Sequence, residues 1–373
     1  MTRVAASAVE RRTRKAGRSC GPGARSRWAR AAGRGRLLLA VGLFPALVVT
    51  AAVLGAEARA DTSDPDPFAA TRIVRTLEDD LGRRITWEAP PRRIVSLSPS
   101  LTEILFALGA DRTTLVGVTR FCNYPPAAKQ IAKVGGIVDP SLEAVLALRP
   151  DLVLATRGNP LEFIESLASL TVPVFALDTR GSLATILATI RSVGAATGRE
   201  VEAARLVDSL AARQQALERR TGALPPEARP RVYYGPLEGT LWTAGPGSYL
   251  DALIRIAGGR NVAAQAPSAW SPLSLEVVLA EDPQVYLGSF AGADTPARRA
   301  EAEADARAFL RGHGAWRETA LGREPRIYMV HEDRLLRPAP RIYAVMEAFA
   351  EFLHPGLGAR GEAGAGARRE QGR

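Results

Sequence analysis

A pattern of fourteen residues that occurs twice constrains this chain more than any other feature. Residues 141–154 read SLEAVLALRPDLVL, and residues 274–287 read SLEVVLAEDPQVYL. Eight of the fourteen positions are identical, and the copies begin 133 residues apart. Both carry the same local instructions. The leading Ser is a residue type that caps a helix by accepting a backbone N–H. Leu, Val and Leu then give the helix an apolar face, Pro stops it, and an apolar run such as Leu152-Val153-Leu154 opens a buried strand. A spacing of 133 residues is far too long for a solenoid repeat. It predicts two similar α/β lobes.

The flanking sequence supplies the rest of each lobe. The first, 92–198, opens with a short buried strand over 93–97. Ser100-Leu101-Thr102-Glu103 has capping-box spacing and leads into an apolar helix that ends at Gly109. A strand over 115–118 precedes an irregular loop, Phe121 to Pro126, and a further strand covers 172–177. This β–α–β alternation predicts a largely parallel sheet flanked by helices. From 199 to 220 there is no Gly or Pro, and Val201, Ala204, Leu206, Leu210 and Leu217 stand among charges. That stretch predicts one long amphipathic helix, 199–222, joining the lobes. The second lobe, 223–354, is expected to hold a strand at 232–234, a helix at 248–257, the second repeat copy, a strand at 327–330 and a last helix at 340–353.

The net charge of +10 first suggests a nucleic-acid or anionic-membrane partner. Its location argues against that reading. Of the 49 Lys/Arg and 39 Asp/Glu, residues 1–60 hold 12 and 2, so the remainder is balanced to zero. The basic stretch runs to Arg36, an uncharged apolar run follows from Leu37 to Leu54, and Ala58-Arg59-Ala60 closes the segment. These are the parts of a secretory signal cleaved after Ala60, although about 18 apolar residues could also anchor an uncleaved chain in a bilayer. The expectation is export to the periplasm. Residues 61–91 form an N-terminal segment with a disordered start, and 355–373 a Gly/Ala/Arg-rich solvated tail. Cys20 falls in the export segment, which leaves Cys122 as a single, buried thiol.

Signals for catalysis are weak. His313, His331 and His354 lack metal-ligand spacing, and there is no phosphate-binding Gly loop or nucleophile elbow. The reading is a binding protein with no cofactor of its own. The rival is an exported chelatase-like enzyme built around His331 and Glu332. Four aromatics are placed on loops after strands: Phe121 and Tyr124 in the first lobe, Trp242 and Trp270 in the second. Ligands of α/β sheets bind beyond the carboxyl ends of the strands, so these residues predict a flat apolar cleft for a large planar ligand. Glu143 and Glu276 stand at the same place on both lobes. Each can favour its helix dipole by about 0.3–1 kcal/mol, and the matched pair also suits a partner with two similar halves presenting Arg.

Residues 93–103, the Asn123-Tyr124-Pro125-Pro126 loop, Val134-Gly135-Gly136 and residues 141–154 resemble the iron-chelate/cobalamin periplasmic-binding family. The resemblance extends over about 75–354. It implies two α/β lobes joined by a single rigid helix, the class III arrangement, working as a monomer. It also implies an ABC-transporter permease dimer with its ATPase as partner, whose arginines would receive Glu143 and Glu276. Phe121, Trp270 and Arg337 match cleft positions of the family, and Trp242 lies near one. Two further positions that carry Trp in the cobalamin-type pattern are Ile137 and Thr156 here. The implied ligand is a corrinoid, with a ferric siderophore or haem as the alternative; His331 or Tyr124 would then ligate iron.

Overall fold

A computed structural model describes residues 75–357. The two repeat copies fold alike. Ser141 accepts the N–H of Ala144 at 3.2 Å, and Ser274 accepts that of Val277 at 3.4 Å. These cap helices Leu142–Ala147 and Leu275–Ala280. At the ninth position of each copy, Arg149 and Asp282 adopt left-handed φ values of 44° and 42°. Pro150 and Pro283 follow, and a residue before proline is kept out of the right-handed helical region. Each helix therefore breaks at the same point and turns into a buried strand, Leu152–Thr156 or Val285–Phe290.

Each strand is interior to a wholly parallel sheet. In the first lobe the order across the sheet is Ala132–Lys133, Leu115–Val118, Ile94–Ser96, Leu152–Thr156 and Val174–Leu177. In the second it is Arg260–Asn261, Arg231–Tyr234, Val285–Phe290 and Arg326–His331. The strand after the repeat helix lies between the strand that opens the lobe and the one that closes it. That arrangement is the same in both, the first sheet carrying one strand more at its edge, so the lobes are two copies of one plan.

Helix Glu200–Gly222 connects them. Its buried stripe is Ala203, Val207, Leu210, Leu217 and Thr221. Val201, expected on the apolar face, is 58% exposed, and Ala204 is exposed too. The correction is one of phase, because only 203, 207, 210, 217 and 221 keep helical spacing along one side. The stripe packs on helix Leu183–Thr197 of the first lobe and on helices Tyr249–Ile256 and Arg341–Leu353 of the second. Burying Val207, Leu210 and Leu217 contributes roughly 1.5–3 kcal/mol each. Arg213 adds a two-pronged bond to Glu347 at 2.8 and 2.7 Å.

Two antiparallel ribbons were not foreseen. One pairs Arg75–Glu78 with Arg84–Trp87; the other pairs Leu241–Ala244 with Trp270–Leu273. The second corrects the expectation that Trp242 and Trp270 sit on loops after strands. Another correction concerns the capping box. Helix Pro99–Ala107 begins one residue before Ser100, with Ser98 at the cap position. Glu103 does not reach back to the helix start but pairs across the lobes. The export segment and the tail beyond residue 357 lie outside the described residues. Among those described, no helix is long and apolar enough to cross a membrane.

Candidate ligand-binding cleft

Between the lobes lies a cleft of about 610 Å³, within the ~300–1,000 Å³ range usual for small-molecule sites. In the first lobe its lining comes from the carboxyl ends of strands. Ser98 and Ser100 follow Ile94–Ser96, Phe121 follows Leu115–Val118, Thr156 ends Leu152–Thr156, and Thr179 and Arg180 follow Val174–Leu177. Ile137 adds to this wall from the loop opened by the glycine pair. Gly135 has φ +98°, and a Cβ there would stand 2.6 Å from the Asp139 carbonyl, so only glycine fits the turn. Asn159 fastens the turn by donating to the Ile137 carbonyl at 2.8 Å and the Leu97 carbonyl at 3.1 Å.

The second lobe contributes Tyr249, Trp270 and the segment after strand Arg326–His331, namely Glu332, Asp333, Leu336, Arg337 and Pro338. Trp270 is 37% exposed and meets Tyr249 edge-on at 6.1 Å. Tyr249 is itself buried. Its hydroxyl donates to the Leu335 carbonyl at 3.1 Å, and burial pushes its phenol well above the usual range.

Two sets of bonds join the walls. The Tyr249 N–H donates to the Gly181 carbonyl of the first lobe at 2.7 Å. Elsewhere the first-lobe residues Glu103, Phe121 and Asn123 meet the second-lobe residues Asp333, Arg337 and Arg341. Glu103, only 4% exposed, accepts from Arg341 Nε at 2.7 Å and from a second Arg341 N–H. Arg337 lies 3.7 Å from the same carboxylate. Arg337 also donates to Asn123 Oδ1 at 2.7 Å and the Phe121 carbonyl at 3.0 Å, and it pairs with Asp333. Asn123 donates in turn to Asp333 at 2.6 Å. Burial pushes the Glu103 carboxyl up, and the guanidiniums of Arg341 and Arg337 offset this only in part, so its pKa stays above the usual 4.5.

Of the five residues expected at a ligand, Phe121, Trp270 and Arg337 line the cleft, and Tyr124 and Trp242 do not. The Tyr124 ring is covered instead by the Arg341 guanidinium, 3.9 Å from its centroid. Trp242 pairs with Pro272 further along the ribbon and is 54% exposed. Arg337 reaches the cleft with its guanidinium already engaged by four groups, so it serves first as a bridge between lobes. His331 does not offer a ligating nitrogen. Its Nδ1 accepts the Asp333 N–H at 3.2 Å, so Nε2 carries the proton and donates to the Gly292 carbonyl at 2.9 Å. Its ring caps the short helix Glu332–Leu335. Glu143 and Glu276 are both exposed in the first turn of their helices. Cys122 is buried between the hydroxyls of Thr102 and Thr119, at 3.2 and 3.1 Å.

Sequence reasoning overlooked Ser98, Ser100, Thr179, Arg180 and Tyr249. For the first four, position just after a strand was an available signal. Tyr249 gave none, since an aromatic at a helix start reads as core.

The family model for periplasmic binding proteins matches residues 94–333. The chain belongs to that family. This binding protein is 31% identical over 329 residues to a cobalamin-binding protein of Halobacterium salinarum, covering 86% of this chain and 85% of the relative. The solved periplasmic heme-binding protein RhuT from Roseiflexus sp. RS-1 superposes with a TM-score of 0.59 at 30% identity, over 70% of this chain and 99% of its own. The periplasmic vitamin B12 binding protein BtuF of Vibrio cholerae gives a TM-score of 0.56 at 26% identity, over 71% and 97%. The two-lobed α/β plan is that of the class III members. The chain is therefore a substrate-binding protein of the ABC importer family.

Proposed function

We propose that this binding protein captures a corrinoid in the interlobe cleft and delivers it to an ABC permease. The observation that carries this reading is the pairing of Phe121 with Trp270, one aromatic from each lobe, across a space of about 610 Å³. Such walls suit a broad, flat, mostly apolar ligand. The cobalamin-binding relative, similar over most of both chains, supports it. The connecting helix packs on both lobes, which favours small movement on binding over wide hinge closure.

Glu143 and Glu276 are the docking points in this proposal. Their helices start a few residues after the cleft-lining Ile137 and Trp270, and both carboxylates are exposed, which supports this reading. In this reading they meet matched arginines on the two halves of a permease dimer. Export by residues 1–60 and action as a monomer complete the reading.

A haem or ferric-siderophore ligand is the second reading. Its support is the similarity to RhuT and the presence of Ile137 and Thr156, both in the cleft wall, where the cobalamin-type pattern carries Trp. Titrating the purified protein with cyanocobalamin, haem and a ferric siderophore, followed by Trp fluorescence, separates the two. Saturable binding of cyanocobalamin below micromolar concentration is expected. Preference for haem would move the conclusion to the second reading, and no binding to any of the three would overturn both.

A further inference from the structure

Four charged residues line the cleft, Arg180, Glu332, Asp333 and Arg337, and three of them have charged partners. Arg180 is paired with Asp178 at 3.3 Å, Arg337 with Asp333, and Glu103 behind them with Arg341. Glu332 is left over. Its carboxylate makes no hydrogen bond or ion pair among the described residues, and it lines the cleft from the start of helix Glu332–Leu335. Arg334, two residues on, is turned to Asp294 at 2.7 Å.

The neutral polar groups point the same way. Ser98 and Ser100 face the cleft, and neither their hydroxyls nor that of Thr179 donates or accepts a hydrogen bond among the described residues. The cleft thus offers an unpaired carboxylate and free hydroxyls set between aromatic walls. A carboxylate can only accept hydrogen bonds. It rewards a ligand that brings N–H donors to that spot and repels one that brings an anionic group, because like charges at a desolvated contact cost several kcal/mol.

We propose that Glu332 is a specificity-determining residue of the cleft: it accepts an amide N–H from the rim of the bound chelate and excludes chelates carrying a carboxylate there. The assignment rests on the corrinoid reading, since a corrinoid rim bears neutral amides whereas haem carries two carboxylates. It makes specificity a matter of rejection as much as attraction.

The matched probes are cyanocobalamin and its three singly hydrolysed derivatives, in which one propionamide of the rim has become a carboxylate. Affinities are measured calorimetrically on the full chain and on Glu332→Gln, which keeps the shape and removes the charge. At least one derivative is expected to bind the unmodified protein about tenfold more weakly than cyanocobalamin, which corresponds to about 1.4 kcal/mol. Glu332→Gln should restore that derivative to within about twofold of the parent, the residual expected of a neutral acceptor. If all three derivatives match cyanocobalamin, or if the discrimination survives in Glu332→Gln, the role of Glu332 is overturned. Failure of cyanocobalamin itself to bind would instead strike the corrinoid reading. The haem arm then decides Glu332 separately. Haem binding that is unchanged by Glu332→Gln overturns the charge argument, and a gain supports it.

Discussion

Removing Arg341 should expose how the interlobe cluster is balanced. In Arg341→Met the buried Glu103 loses a contact at 2.7 Å and a second, shorter one, and keeps only Arg337 at 3.7 Å. A stranded buried carboxylate costs about 3–5 kcal/mol. The chain can escape part of this by protonating Glu103. At pH 7, starting from an ordinary pKa of 4.5, that route costs roughly 3.4 kcal/mol at about 1.36 kcal/mol per pH unit. The expected penalty is therefore about 3 kcal/mol at pH 7. At pH 5 protonation costs only about 0.7 kcal/mol, and what remains is lost packing on Tyr124. Glu103→Gln should behave differently. Because burial already holds the Glu103 pKa above 4.5, the neutral side chain is the form the site tolerates better. Its contribution is fully present below 4.5 and is lost as pH rises through the folded value. Glu103→Gln should accordingly cost less than Arg341→Met at pH 7, because the stranded Arg341 is the more exposed partner and keeps the Asp333 carbonyl at 3.0 Å, and it should rescue most of the Arg341→Met loss in the double variant. Urea unfolding at both pH values gives the free energies from the midpoints. The reasoning fails if Glu103→Gln costs as much as Arg341→Met, or if the Arg341→Met penalty is the same at pH 5 as at pH 7.

Three further outcomes are expected. Charge reversal at both docking points, Glu143→Arg with Glu276→Arg, should abolish uptake by a reconstituted transporter while ligand affinity changes less than about twofold, because both side chains are exposed and neither lines the cleft. Trp270→Ala should weaken cyanocobalamin binding by about tenfold, the effect of removing a large aromatic surface, with Trp242→Ala as the nearly silent control. Asp79 accepts the N–H groups of Leu81, Arg83 and Ala176 at 2.9, 2.9 and 3.0 Å and pairs with the Arg83 side chain. Burial pushes its carboxyl up, but these bonds outweigh burial and hold it below 3.8. Asp79→Asn should cost roughly 2 kcal/mol at pH 7. The wild-type advantage exists above pH 3.8 and fades as pH falls through the lower folded value, so the two unfolding curves should converge there.

What the sequence determined by itself was the architecture. A capping Ser, an apolar helical face, a Pro and a buried strand are local instructions, and writing them twice at long range specifies two like lobes. The gap-free helical stretch between them identified the connector, and Phe121 and Trp270 were legible as cleft walls. The phase of the connecting helix was not, because Val201 and Leu217 are equally apolar and only packing against both lobes selects one stripe. Nor was the fate of Glu103. Its capping-box spacing was a real local signal, but the tertiary structure set it against Arg341, more than two hundred positions away. The same holds for His331, one ring nitrogen of which caps its own helix while the other is taken by the Gly292 carbonyl, which no spacing rule connects to it. Arg337 likewise became a bridge once Asn123 and Asp333 were brought beside it. Pairings of this kind depend on which surfaces two separately folded lobes present to each other, and a chain read residue by residue contains the partners without their meeting.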